Sequence, residues 1–331
     1  MTKSLCPLTT LKTLTTMTKH LLGIAMSMLA ISGAFAQSYD YKPIKGFQDS
    51  TNERLEAFLE STVPMKTRKV AVFDCDGTLF GQAPYYLADE ALYDFAKRNY
   101  EGKTDSLSVA KMKIVDQLLH GDNVGVDFVQ NRVRFLSGLT ADQIQEIGDQ
   151  MFHQKYQNKM YPEMKALISN LENYGFEVWI LSASPELLYQ KFCAEQLGLP
   201  EDRILGVKST VGEGNIVSDQ LVYPVSQDEG KADVVRTFIK TDPLFVGGNS
   251  RGDLEMMNTS VGLKIMINPD DSKPEKVANG KTLKEYWSAD PRCIVEYCND
   301  VPTEGIEYVT EEWGVKNNAT NAKPSEVVIN Y

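Results

Sequence analysis

The stretch VAVFDCDGTLFG, residues 70–81, constrains this chain more than any other. Four residues suited to a strand, 70–73, are followed at once by Asp74 and Asp76, then by Gly77 and Thr78. A short, wholly apolar run reads as a strand buried on both faces, the habit of parallel sheets covered by helices. Such sheets present ligand-binding groups at the carboxyl ends of their strands. One aspartate there would serve as a helix cap. Two acids on the same side, with Cys75 between them turned the other way, indicate chemistry.

The rest of the chain repeats this grammar. Further strand-like runs fall at 178–181, 244–246 and 264–267, alternating with helical patterns at 163–174, 185–197 and 231–240, with Ser184 and Pro185 placed as N-cap and first helical residue. Alternation of this kind predicts an α/β fold, a Rossmann-like parallel sheet covered by helices on both faces. Residues 81–160 interrupt it with helical segments only and predict an inserted helical cap; 204–223, with GEGN between apolar runs, predicts a hairpin. The expected organisation is a signal at 1–36, an N-terminal extension at 37–67, a core at 68–80 and 161–270, the cap at 81–160 and a C-terminal extension at 271–331.

The first 36 residues set the compartment. Lys3, Lys12 and Lys19 precede an apolar run over 21–31, and in Ala34-Phe35-Ala36 the two alanines supply the small residues that precede a cut before Gln37. The run is shorter than the roughly 20 residues that span a bilayer, so a cleaved secretory signal is expected, with a periplasmic or secreted product and no stable membrane anchor. Losing those three lysines moves the formal charge from −11 to −14. So acidic a chain is a poor partner for nucleic acid or an anionic membrane, although a local basic pocket can still hold a small anion. Cys293 and Cys298 are near enough in sequence for a disulfide, and their pairing stays open; Cys75 and Cys193 read as small buried residues.

Three polar clusters end consecutive strands: DCDGT at 74–78, SASPE at 182–186 and GGNSRGD at 247–253. Phosphoryl transfer needs a nucleophile, a proton donor for the leaving oxygen and cations around the phosphoryl group. Asp74 suits the first role and Asp76 the second, with Mg2+ offsetting their mutual repulsion. Only His120 and His153 lie beyond residue 36, which leaves little for a histidine metal site or a serine–histidine triad. No GxxxxGK[ST] loop is present, and Arg251-Gly252-Asp253 follows a buried strand instead of forming an exposed adhesion tip.

On these residues the chain resembles the haloacid dehalogenase superfamily. DCDGT is similar to its first motif, Ser182 in ILSAS to its second, Lys231 in DEGKADVVRTF to its third and GGNSRGD to its fourth, in the family's order, across residues 68–268. The resemblance implies Asp74 as nucleophile and Asp76 as acid/base. It implies Thr78, Ser182, Ala183 and Lys231 around the phosphoryl group, and Asp74, the Asp76 carbonyl, Asn249 and Asp253 around Mg2+, with Asp253 binding directly or through water. Position 249 usually carries an aspartate in the family, and a neutral amide oxygen there brings less charge. The cap and NRVRFLSGLT at 131–140 resemble the phosphoserine phosphatase branch, in which Arg132 falls where an arginine grips a substrate carboxylate. That branch's glutamate and aromatic residue of the cap fall at Ala83 and Gly125 here. Tyr85 and Tyr86 would offer a quaternary head group a cation–π face or would pack the cap core. The expected activity is an exported, Mg2+-dependent hydrolysis of small phosphorylated metabolites. The alternatives are a phosphoserine phosphatase proper and a catalytically silent binding domain of the same fold.

Overall fold

β1 (Lys69–Phe73) is buried along its whole length at the middle of a six-stranded sheet. It pairs in parallel with β2 (Phe176–Pro185) on one side and β6 (Phe245–Gly248) on the other. β3 (Ile204–Val207) extends the sheet beyond β2; β7 (Leu263–Ile267) and β8 (Cys293–Glu296) extend it beyond β6, all in parallel. The order β3-β2-β1-β6-β7-β8 reverses direction between β1 and β6, so a crevice opens at their carboxyl ends. β4 (Ser209–Val211) and β5 (Val217–Leu221) form a separate antiparallel hairpin. The structure, a computed structural model, describes residues 39–121, 125–300 and 305–314. The described residues from Tyr41 onward make one compact unit; Tyr39 and Asp40 belong to the N-terminal unit, and the expected signal at 1–36 lies outside the described residues. No helix among the described residues is long and apolar enough to cross a membrane.

The period-two pleat explains why β1 is apolar from Val70 to Phe73. Ala71 and Phe73 join one core with Leu55 and Leu59 of α1 (Asp49–Thr62), whereas Val70 and Val72 join a second core with Val234, Val235 and Met256 on the opposite face. Between β1 and β2 the chain runs through α2 (Leu87–Asn99), α3 (Ser106–His120), α4 (Gly125–Leu136) and α5 (Ala141–Met151). The two crossings into this helical insertion are tied together: Gly81 N–H donates to Lys159 O at 2.9 Å and Tyr161 N–H to Leu79 O at 3.0 Å. α6 (Pro162–Asn173) leads back to β2, and α7 (Glu186–Leu197) follows it. α5 seats on α7 at Gly148, where a Cβ would stand 1.7 Å from the Leu188 carbonyl oxygen, so only glycine permits that approach.

Several expectations change. β2 runs on to Pro185, which becomes the N-cap of α7; Ser184 is thereby kept in the strand and its hydroxyl turns to Asp76. Residues 204–207, expected in a hairpin, form the sheet edge instead, and the hairpin begins at Ser209. The region expected as an extension beyond 270 supplies β8, paired to β7 over four residues, so the core sheet is completed from it. No disulfide joins Cys293 and Cys298; Cys293 lies within β8 and Cys298 beyond its end, where its backbone is bonded to Asn268.

Beyond β8 the chain returns to the helical insertion. Asp300 pairs with Lys159 at 2.5 Å and accepts from Ala83 N–H at 2.9 Å, both groups lying at the crossings. Further on, the short helix Val309–Glu312 docks on Glu90 of α2. That fully buried carboxylate accepts from Val309 N–H, Thr310 N–H and Thr310 Oγ1 at 2.8, 3.1 and 2.7 Å and pairs with Lys155 at 2.5 Å. Removing one partner of such a set leaves buried donors without an acceptor. Glu90→Ala is expected to lower stability by about 3–5 kcal/mol, read as a shifted urea midpoint; an unshifted midpoint would show that this strap contributes nothing.

Candidate active site

Asp74 leaves β1 while its N–H is still bonded to Gly247 O of β6 at 3.0 Å, which puts its carboxylate in the crevice between the two strands. Lys231, in the first turn of α8 (Glu229–Val234), donates to Asp74 Oδ1 at 2.6 Å and to Asp253 Oδ1 at 2.7 Å. Thr78 Oγ1 donates to Asp74 Oδ2 at 2.9 Å, so both carboxylate oxygens are aimed. Burial pushes the Asp74 carboxyl up to about 7 and Asp253 adds to this, while the Lys231 ammonium opposes both. Burial acts to lower Lys231, but Asp253 and Asp74 overcome it and hold the ammonium above its usual range. Gly77 turns the chain with φ +79°, where a Cβ would lie 2.0 Å from Asn249 Nδ2. The turn thus needs glycine for its conformation and for the close approach of Asn249.

Asp76 faces the same space from the next turn. Tyr189 Oη of α7 donates to its Oδ1 at 2.8 Å, and the hydroxyls of Ser184 and Ser182 lie 3.3 and 3.4 Å from its Oδ2. Burial raises the Asp76 carboxyl, against the bond from Tyr189 and the charge of Arg132. Cys75 points away, as the pleat requires, with its Sγ 3.6 Å from Cys193 Sγ; both thiols are free. Tyr189 and Cys193 share one face of α7, so consecutive residues 75 and 76 meet consecutive turns of one helix.

A cavity of about 370 Å³ opens over this group, lined by Asp74, Asp76, Ala183, Lys231 and Asn249. The helical insertion contributes Tyr86, Phe128 and Arg132, and the region beyond β7 contributes Asp270, Lys273 and Leu283. Other residues expected at the site stand behind its wall. The Ser182 hydroxyl is buried and accepts from Ser184 N–H at 3.0 Å, and it is Ser184 that reaches the cavity. Thr78 is wholly buried and acts on Asp74. The Tyr85 ring packs on Tyr308 at 5.4 Å and adds no cavity surface, so the expected aromatic pair is reduced to Tyr86. Arg132 is already engaged: its Nε and Nη2 donate to Asp89 Oδ1 at 3.0 and 2.7 Å, and its guanidinium covers the Phe128 ring at 4.3 Å.

Asp253 differs most from its expected role. It is fully buried, its Oδ1 is bonded to Lys231, and its Oδ2 accepts from Asn249 N–H, Ser250 N–H and Ser250 Oγ at 3.1, 2.9 and 3.0 Å. It aligns Lys231 and the 249–250 turn and does not face the cavity. The oxygen groups that do face the cavity near the crevice include the carboxylate of Asp74 and the amide of Asn249, hard donors that suit Mg2+ but carry one negative charge between them. A second cluster, Asp149, His153 and Glu195, has ligand atoms within 4.8 Å of one another, but it lies between α5 and α7 with Lys191 already 2.8 Å from Asp149. It is not part of this cavity.

A parallel sheet of this order, with two acids ending its central strand, a lysine clamped on the first of them and a helical insertion over the crevice, defines a hydrolase-type site on a Rossmann-like fold. The chain belongs to the haloacid dehalogenase-like hydrolase family, whose model matches residues 71–258, more than half of its length. It is similar to the phosphoserine phosphatase SerB2 of Mycobacterium tuberculosis, with 23% identity over 209 residues, 61% of this chain and 45% of that protein. It is also similar to the protein ML2424 of Mycobacterium leprae, with 26% identity over 216 residues, 62% of this chain and 69% of that one. The chain therefore spans about half the length of the first of these relatives. Among solved structures, a conserved protein of unknown function from Anaerococcus prevotii shares the fold at a TM-score of 0.57 and 15% identity, over 78% of this chain and 94% of that one.

Proposed function

We propose that this chain is a Mg2+-dependent phosphomonoesterase that works through an aspartyl phosphate on Asp74. The observation that carries the reading is the clamp of Lys231 on Asp74, with Asp76 held by separate donors across the same cavity. Thr78 and Lys231 hold the Asp74 carboxylate in one orientation, ready to attack phosphorus in line with the leaving oxygen. Lys231 also offsets charge on the phosphoryl oxygens. Asp76 gives a proton to the departing alkoxide and later takes one from the attacking water. Asp74, the main-chain carbonyl of Asp76 and Asn249 would hold Mg2+, which when bound neutralises charge on the phosphoryl group.

The substrate class is small phosphorylated metabolites. The likeness to a phosphoserine phosphatase favours phosphoserine, but Asp89 already takes two donors of Arg132, which weakens the case for a carboxylate grip. Turnover of a phosphomonoester panel with Mg2+ and with chelator tests the reading. Chelator-sensitive turnover is expected, and the ranking of phosphoserine against phosphocholine assigns the head group. No turnover of any ester would leave a silent binding domain. We further propose action in the periplasm or outside the cell, supported by the charged and then apolar residues 1–36; a mature N-terminus at Gln37 is the check.

Asn249→Asp tests the neutral ligand. The added charge is expected to tighten Mg2+ binding by about tenfold, measured by calorimetric titration without substrate and by the Mg2+ concentration at half-maximal rate. An unchanged midpoint in both would remove residue 249 from the metal site.

A further inference from the structure

Asp76 has two oxygens, and a general acid must carry its proton on the one that faces the leaving group. Oδ1 accepts the 2.8 Å bond from Tyr189 Oη, while Oδ2 accepts only longer bonds of 3.3 and 3.4 Å from the hydroxyls of Ser184, a cavity residue, and Ser182, rotors that can turn to accept when Oδ2 carries a proton. Tyr189 is itself 1% exposed and lines no part of the cavity. Its ring is enclosed by Phe80 and Phe192, with centroids 6.4 and 5.2 Å away. It belongs to none of the four motifs, and it does not reach a substrate.

We propose that Tyr189 is a positioning residue for proton transfer: by donating to Oδ1 it reserves Oδ2 for the transferable proton and stops the Asp76 carboxyl from rotating. The inference rests on the phosphatase reading. In the first step a bond forms from an Asp74 oxygen to phosphorus, the bond from phosphorus to the leaving oxygen breaks, and the proton on Asp76 Oδ2 passes to that oxygen. In the second, water oxygen bonds to phosphorus, the Asp74–phosphorus bond breaks, and Asp76 Oδ2 takes a proton from the water. The phenolic proton stays on Tyr189 throughout and stabilises the carboxylate that Asp76 becomes.

The test compares the wild-type chain with Tyr189→Phe in Mg2+, using single-turnover release of the leaving group from two esters. One is the alkyl phosphate that the wild type hydrolyses fastest, whose alkoxide needs the proton; the other is 2,4-dinitrophenyl phosphate, whose phenolate leaves without it. The expected result is a loss of about 30- to 100-fold on the alkyl ester with KM changed less than about twofold, and a loss under about threefold on the aryl ester. In an Asp76→Asn background the alkyl-specific penalty should vanish, because the group being positioned is gone. Equal losses on both esters, no loss on either, or a penalty that persists beside Asp76→Asn would overturn the proposal while leaving the phosphatase reading intact. Absence of wild-type turnover on both esters would sink that reading and this proposal with it. A thermal midpoint of Tyr189→Phe within a few degrees of wild type accompanies the comparison; if it falls further, the ratio of the alkyl to the aryl loss carries the test, because a lost active fraction lowers both esters equally.

Discussion

Asp74→Asn is expected to lose turnover by roughly ten-thousand-fold, the scale seen when a group acting as nucleophile is deleted, while keeping the fold. The structural reason for the second half is specific. Asp74 is buried, and its charge is opposed by desolvation and by Asp253, so replacing a carboxylate with an isosteric amide removes a repulsion as well as an attraction. Lys231 keeps Asp253 at 2.7 Å, and Thr78 still finds an oxygen acceptor at the same position. Circular dichroism and the thermal midpoint should therefore stay close to wild type. Near-wild-type turnover would end the aspartyl-phosphate mechanism, and a trapped phosphoenzyme on Asp76 would exchange the two roles.

The second large effect belongs to Lys231. Its ammonium is the cation that separates two buried carboxylates, bonded to Asp74 at 2.6 Å and Asp253 at 2.7 Å. Lys231→Met keeps most of the stem and removes the charge, leaving two acids facing each other out of water. The cost is expected to be about 3–5 kcal/mol in metal-free protein, with turnover reduced by about a hundredfold or more. The pH dependence has a definite sign. Asp74 stands at about 7 with the lysine present, and loss of the lysine raises it further. An acid raised by folding binds more protons folded than unfolded; from about pH 4 to about 7 this holds equally in both proteins, so the deficit from Asp74 grows only above about pH 7, up to the variant's raised value, and is relieved as pH falls back toward about 7. Urea midpoints of both proteins in chelator across that window measure it. A deficit that grows toward low pH would show that Lys231 stabilises through something other than these two acids.

How much of this was legible beforehand follows from the range of each interaction. The strand of 70–73, the turn through Gly77 and the positions of Asp74 and Asp76 at a strand end depend on neighbours in sequence, so apolar run, acid and glycine announce them together. The helical character of 81–160 was legible for the same reason, since period and breaks are local. The sheet edges were harder. β8 sits in a charged segment and is a strand because β7 offers it a ladder, and β3 looked like half of a hairpin until β2 claimed it. Propensity yields to pairing in both cases.

The roles within the site divide along the same line. Sequence by itself placed Asp74, Asp76 and Asn249 at the ends of central strands, where residue type and place along a strand bring them to one crevice; Lys231, in a helix, joined them only through the resemblance to the family's third motif. Only the tertiary structure decided what each one touches. Asp253 turned inward because Lys231, 22 residues away, and the 249–250 turn satisfy its oxygens better than a cavity would. Asp76 acquired Tyr189 from 113 residues on, and Arg132 was taken by Asp89 at a distance of 43. Hydrogen bonds and ion pairs are decided within about 3 Å, and no pattern of residues along the chain encodes distances that arise only when separate elements pack.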